Sequence, residues 1–217
     1  IGELFNTAGF TTLVGGNIGD PLITEVEKIP TEGVIVAEIS SFQLEGIKKF
    51  KPQVSIVTNL TPDHMDRHKT MENYLEVKAR IFENQKEDDF LILNWDDPLI
   101  KELGRRSKAN VLYFSRKEKL QKGAYLKDGF LTVSYNGKEE KIIKPEEIFI
   151  KGGHNLENSM CGVLAGIVKD IPGDVIAKAL KNFKGVEHRL EFSGEYDGVI
   201  YVNDSKGTNP DASLKAL

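Results

Sequence analysis

The chain has 217 residues, enough for one large domain or one domain and a piece of another. Hydrophobic residues at 40% and charged residues at 29% describe an ordinary soluble globular protein, and a net charge of -4 with a pI near 5.7 leaves no basic footprint for nucleic acid. Apolar runs such as "FLIL" and "GVLAGIV" are too short to cross a bilayer, no signal peptide is visible, and the single Cys161 argues against a disulfide framework, so a cytoplasmic protein with no membrane partner is expected.

In chain order, "IGELFNTAGF" reads as the body of a helix without its cap, with no initiator Met before it. "TTLVGG" reads as a strand, and "DPLITEVEKI" as a helix with Asp20 as N-cap and Pro21 at its first position. "GVIVAEIS" is a continuously apolar strand, followed by a helix around "SFQLEGIKKF" and a second buried strand, "QVSIVTNL". After a loop and a helix starting near Thr70, "DDFLILNWDD" and "NVLYFS" continue the sheet, with the short helix "DPLIKELGRR" between them. From Lys122 to Lys144, Asp128-Gly129 and Asn136-Gly137 are hairpin signals between alternating strands, so an antiparallel edge is expected. "HNLENSMCGVLAGIVKDI" reads as a buried helix and "GDVIAKALKNF" as an amphipathic one. A second unit begins near Glu187 with "GVIYVNDS" as its strand, and "NPDASLKAL" reads as the first turns of a further helix. The alternation predicts an α/β fold, a mostly parallel sheet flanked by helices. Both ends read as cut through structure, so a segment of a longer protein is expected.

The helix after Thr70 poses a question. At 100° per residue, Met71, Tyr74, Leu75 and Phe82 share one face, while Glu72, Asn73, Glu76, Arg80 and Glu83 share the other. Lys78, seven residues after Met71, falls at the centre of the apolar stripe. Such a lysine pairs with an acid, snorkels, or loses its charge through desolvation. A neutral amine can react with CO₂ to give a carbamate, a carboxylate able to bind metal.

Ligands of an open parallel sheet bind at the carboxyl ends of its strands, and polar residues collect at those places here. Asn17 follows the first strand, and Glu38 and Ser40 end the second. Asn59, Asp63 and His64 follow the third, and Asp204, Ser205, Lys206 and Thr208 follow "GVIYVNDS". Glu38 is either a carboxylate reaching solvent or a Mg²⁺ ligand. His64 and His68 are four apart, which suits a metal pair only on a helix, and Pro62 makes this stretch a loop, so a solvated or structural histidine is the alternative. Asp63, Asp66 and His68 also read as capping and turn chemistry. Asn155 and Asn158 lie on one helical face; Asn155 suits an N-cap, and Asn158 suits an adenine edge because an amide donates and accepts at once. Arg189, Lys206 and Thr208 suit phosphate oxygens, and Asp204 a ribose or a metal, although each is also ordinary exposed polarity.

Taken in order, "GGNIG", "AEISSFQLE", "NLTPDHMDRH", "GGHNLEN", "EHRLE" and "NDSKGTNP" resemble the ATP-dependent Mur ligases of peptidoglycan synthesis. "SSFQLE" with "DHMDRH" favours the branch whose substrates are UDP-N-acetylmuramoyl-L-alanine and D-glutamate. The resemblance implies a three-domain enzyme, with residues 1–186 as the central ATP-binding domain lacking its phosphate loop and 187–217 as the beginning of a Rossmann-like C-terminal domain. It further implies a carbamate on Lys78, catalytic roles for Lys78 and His64, and Glu38, His64 and Lys78 as ligands of Mg²⁺. Asn155, Asn158, Arg189, Asp204, Lys206 and Thr208 would contact ATP, and Asn17, Ser40, Gln43 and His188 would lie on the substrate side. The implied enzyme is a monomer that works through an acyl phosphate, and these 217 residues alone are expected not to ligate. Another Mur or folylpolyglutamate-type amino-acid ligase, and a non-catalytic nucleotide-binding fragment, are the competing readings.

Overall fold

The computed structural model describes residues 1–19, 21–207 and 213–214. Helix α1 (Gly2–Thr7) buries Leu4 and Phe5 and leads into β1 (Thr12–Gly16). Helix α2 (Leu22–Glu25) extends as a 3-10 turn through Val26–Lys28. Pro21 occupies its N-cap with extended backbone (ψ 126°) rather than the first helical position, and Asp20 lies outside the described residues.

Strand β2 (Val34–Glu38) pairs in parallel with β1, from Thr12 opposite Val34 to Gly16 opposite Glu38. Gly16 has a φ of 110°, and a Cβ there would stand 2.3 Å from the Glu38 carbonyl oxygen. That close approach requires glycine, and it lets the next residue, Asn17, donate its N–H to the same carbonyl at 2.7 Å. β2 is less enclosed than its apolar run suggests: Ile35 is 42% exposed, because among the described residues β1 and β2 form their own two-stranded pair.

After α3 (Ser41–Glu45) the chain builds the main sheet. Its strands are β3 (Val54–Val57), β4 (Phe90–Asn94), β5 (Asn110–Ser115), β6 (Gly123–Lys127), β7 (Phe130–Tyr135) and β8 (Lys138–Ile143), adjacent in that order. β3 to β6 are parallel, while β7 and β8 add an antiparallel extension. The crossover from β3 to β4 carries α4 (Met65–His68), α5 (Met71–Ala79) and a 3-10 turn through Phe82; that from β4 to β5 carries α6 (Pro98–Leu103). In the extension, Asp128-Gly129 and Asn136-Gly137 all take positive φ, as two-residue hairpin turns require.

The layers follow from side-chain alternation. Leu91, Ile92 and Leu93 of β4 are wholly buried. Leu91 and Leu93 pack with Tyr74, Phe82, Ile100 and Leu103 on one face. Ile92 packs with α1, α7 (Gly153–Ile167) and α8 (Gly173–Asn182) on the other. A strand covered on both sides reads as an unbroken apolar run, which is why "FLIL" shows no alternation. The chain then forms the hairpin β9 (Glu191–Tyr196) and β10 (Val199–Asn203), whose Asp197-Gly198 turn repeats the positive-φ signal. Among the described residues, no helix is long and apolar enough to cross a membrane.

Candidate functional site

The carboxyl end of β2 delivers Glu38, and a capped turn follows at once. Ser40 Oγ accepts the Gln43 N–H at 3.3 Å and Gln43 Oε1 accepts the Ser40 N–H at 2.8 Å, the reciprocal pair that starts α3. Ser40 and Gln43, both expected on the substrate side, are thus fixed at a helix start beside Glu38. Exposed Asn17 stands at the same sheet end, tied by its backbone to Glu38.

The segment after β3 is not the plain loop that Pro62 suggested. Residues Met65–His68 form the single helical turn α4, and His64 precedes it in the left-handed region (φ 54°, ψ 35°). The His64 N–H donates to Asp63 Oδ1 at 2.9 Å, and its imidazole meets Phe42 edge-on at 4.9 Å. His64 is therefore the exposed cap of the turn, and His68 its buried last residue, so the two are not a metal pair on one helical face. His68, read from sequence as turn chemistry, is only 4% exposed; it stacks on Tyr74 and Phe42 and stands 3.0 Å from Ser41 Oγ. Its burial depends on partners from other elements, which no local pattern signals.

Thr70 caps α5 by accepting the Asn73 N–H. Tyr74 and Phe82 are buried in the expected stripe, with Met71 and Leu75 packed against the same cluster. Arg80 departs from the polar face, donating to the carbonyls of Glu45 and Ile47 at 2.6 and 2.7 Å. Lys78 is half-buried, with Nζ 5.4 Å from the centre of the Tyr74 ring. Burial pushes its pKa below the ordinary lysine value, while the carboxylates of Glu38 and Asp63 pull the other way. Burial also raises the Tyr74 hydroxyl, helped by Asp63. The lysine in the apolar stripe thus keeps its amine near the Tyr74 ring, within the electrostatic reach of two carboxylates from two other segments.

Hard divalent cations take oxygen donors. Among the described residues no three acidic, histidine or cysteine side chains already stand as a metal-ready group. Glu38 and Asp63 nevertheless place carboxylates within electrostatic reach of Lys78, so the donor chemistry fits a divalent cation once the lysine is no longer an ammonium.

A groove of about 430 Å³ opens where β3, β4 and β5 end and α7 begins, lined among others by Asn59, Asn94, Arg116, His154 and Glu157. Arg116 Nε donates to Glu157 Oε1 at 2.7 Å, bridging the end of β5 to the first turns of α7. The N-cap of α7 is Gly152 (φ 98°), so Asn155 lies inside the helix and does not cap it. Its amide donates back to the Lys151 carbonyl at 2.8 Å, and the Asn158 amide reaches Asn155 Oδ1 at 3.4 Å, leaving Asn158 exposed on the same face.

At the C-terminal side, the chain brings "EHRLE" and "NDSKG" together. Lys206 N–H donates to the His188 carbonyl at 3.0 Å, Leu190 N–H to Asp204 Oδ1 at 3.1 Å, and the Asn203 amide stands 2.9 Å from His188 Nδ1. Arg189 and Lys206 are exposed beside them, and Thr208 lies outside the described residues. No hydrogen bond or ion pair among the described residues joins this group to Asn155 or Asn158.

The Mur ligase middle domain matches residues 17–166. Over all 217 residues the chain is 55% identical to the UDP-N-acetylmuramoylalanine–D-glutamate ligase of Thermoanaerobacter sp. (strain X514) and 48% identical to that of Clostridioides difficile (strain 630), covering 48% of each. It thus spans about half the length of these relatives. Among solved structures, MurF from Acinetobacter baumannii superposes with a TM-score of 0.77 at 13% identity, over 99% of this chain and 49% of that one. The MurF ligase of Thermotoga maritima, in complex with ADP, gives 0.71 at 19% identity, over 99% and 52%. At such identities these structures speak for the α/β fold alone.

Proposed function

This chain belongs to the Mur ligase family, and we propose that it is the nucleotide-handling centre of an ATP-dependent ligase that adds D-glutamate to UDP-N-acetylmuramoyl-L-alanine in peptidoglycan synthesis. The observation that carries the chemistry is Lys78, half-buried beside the Tyr74 ring and within the electrostatic reach of the carboxylates of Glu38 and Asp63. The identity to D-glutamate ligases along the whole chain supports the choice of amino acid. Residues 1–186 belong to the central domain in this reading and 187–217 open the next; the enzyme works as a monomer in the cytoplasm.

In the reaction, the γ-phosphoryl group of ATP passes to the terminal alanine carboxylate, giving an acyl phosphate and ADP. The amine of D-glutamate attacks the acyl carbon, and the tetrahedral adduct expels phosphate to leave the amide. Positioning and charge neutralisation dominate such chemistry, with no need for a protein nucleophile. Lys78, as its neutral amine, takes up CO₂ and releases a proton to become a carbamate; with Glu38 and His64 it would hold Mg²⁺. When bound, Mg²⁺ neutralises phosphate charge. Asn155 and Asn158 orient the base, while Arg189, Asp204, Lys206 and Thr208 approach the nucleotide from the C-terminal side. Asn17, Ser40, Gln43 and His188 orient the acceptor substrate.

Lys78→Ala in the full-length protein tests this assignment. We expect D-glutamate-dependent phosphate release to fall by roughly a hundredfold or more, the scale of losing a group that stabilises transition-state charge. Activity equal to the wild type would remove the carbamate role.

A further inference from the structure

Three short segments carry the groups assigned to the cation. Glu38 ends β2, His64 precedes α4, and Lys78 lies near the end of α5. One side chain makes contact with all of their surroundings. His68 Nε2 stands 3.0 Å from Ser41 Oγ, three residues beyond Glu38. Its ring stacks on Tyr74, with centroids 4.8 Å apart and planes 21° apart, and Lys78 Nζ lies 5.4 Å from that same Tyr74 ring. It also stacks on Phe42 at 5.8 Å and 26°, the ring that His64 meets edge-on. Beside it, Arg67 of the same turn pairs with Glu45 of α3 at 2.6 Å, and the Asn73 amide of α5 donates to the His68 carbonyl at 3.2 Å.

Burial makes this arrangement specific. His68 and Ser41 are 4% and 2% exposed, and a buried imidazole or hydroxyl is tolerated when it has a partner. Here each partners the other. The stacked rings then transmit that fixed position in two directions, through Tyr74 toward Lys78 and through Phe42 toward His64. Stacked between Tyr74 and Phe42, the His68 ring has few alternative rotamers; Tyr74 is buried against it, while Phe42 keeps one face exposed.

We propose that His68 is a positioning residue for this site: with Ser41 it locks α3, α4 and α5 in the arrangement from which Glu38, His64 and Lys78 would hold the cation. The inference rests on the ligase reading above, and it gives the side chain a role in how tightly the cation is held, not in any bond made or broken. Outer-shell groups of this kind alter metal affinity by about 10–100-fold when removed.

The test uses the full-length protein with His68→Leu and Ser41→Ala. Mn²⁺ binding is followed by electron paramagnetic resonance in the presence of a non-hydrolysable ATP analogue, with melting temperatures taken on the same samples. The expected result is a half-saturating Mn²⁺ concentration raised about tenfold or more by His68→Leu, and raised less by Ser41→Ala. Ser41→Ala leaves both ring stacks in place, so it provides the answer if His68→Leu fails to fold. A purely structural role would lower the melting temperature and the number of competent sites while leaving the affinity of those sites unchanged, and that result would overturn the proposal. Absence of Mn²⁺ binding by the wild type would remove the cation reading and this inference together. Wild-type binding with both variants unaltered would remove the inference alone.

Discussion

At the residue scale, Lys78 shows how a placement that disfavours the fold can serve a site. Burial depresses its pKa, so between that lowered value and the ordinary lysine value near 10.5 the unfolded chain binds more protons than the folded one. Folding stability therefore gains from this group as pH rises through that window, and the buried ammonium is a burden below it. Replacing it with Met, apolar and of similar reach, removes the burden. In protein kept free of CO₂, where the side chain stays an unmodified amine, Lys78→Met is expected to melt a few degrees above the wild type at neutral pH, with the advantage shrinking as pH approaches 10.5. Melting curves across pH check both signs; a variant that melts below the wild type at neutral pH would mean that the electrostatic attraction of Glu38 and Asp63 outweighs desolvation.

Elements made of strong local signals are legible in the chain itself. Asp128-Gly129 and Asn136-Gly137 supply positive φ cheaply, so the amino-acid sequence alone places both hairpins of the antiparallel extension. The same signal at Asp197-Gly198 marks the hairpin containing β9, a strand that the sequence pattern did not bring out. Lys78 stands out because a period of 3.6 makes an interrupted stripe visible. Features set by distant partners are not legible. The exposure of β2 and the burial of His68 each depend on which segments meet in space, whereas the helical turn after His64 and the Gly152 cap of α7 are local backbone features that the hydrophobic pattern does not show. At the β1–β2 junction, Gly16 links element to site, since its positive φ and its approach to the Glu38 carbonyl hold the strand end that carries Glu38. Gly16→Ala is expected to lower stability by about 1–3 kcal/mol, because the new Cβ demands strained backbone and meets a carbonyl that cannot swing away. Denaturant unfolding measures it, and an unchanged midpoint would show that the two strands can part without loss.

At the scale of the whole molecule, the ends of parallel strands gather the polar groups to which the proposal gives the chemistry. β2 contributes Glu38, the β3 end contributes Asp63 and His64, and the groove beside α7 lies at the ends of β3, β4 and β5. The Asn203–His188 and Asp204–Leu190 contacts hold the C-terminal group together as a unit of its own. In the proposed enzyme the reaction needs both groups around one nucleotide. The choice of amino acid is therefore a property of the full-length protein. Phosphate release would be measured with Mg²⁺-ATP, UDP-N-acetylmuramoyl-L-alanine and a panel of acceptors containing D-glutamate, L-glutamate, L-alanine and meso-diaminopimelate. Release that requires D-glutamate and is matched by its incorporation into product is the predicted result; preference for any other acceptor, or release indifferent to all of them, would contradict it.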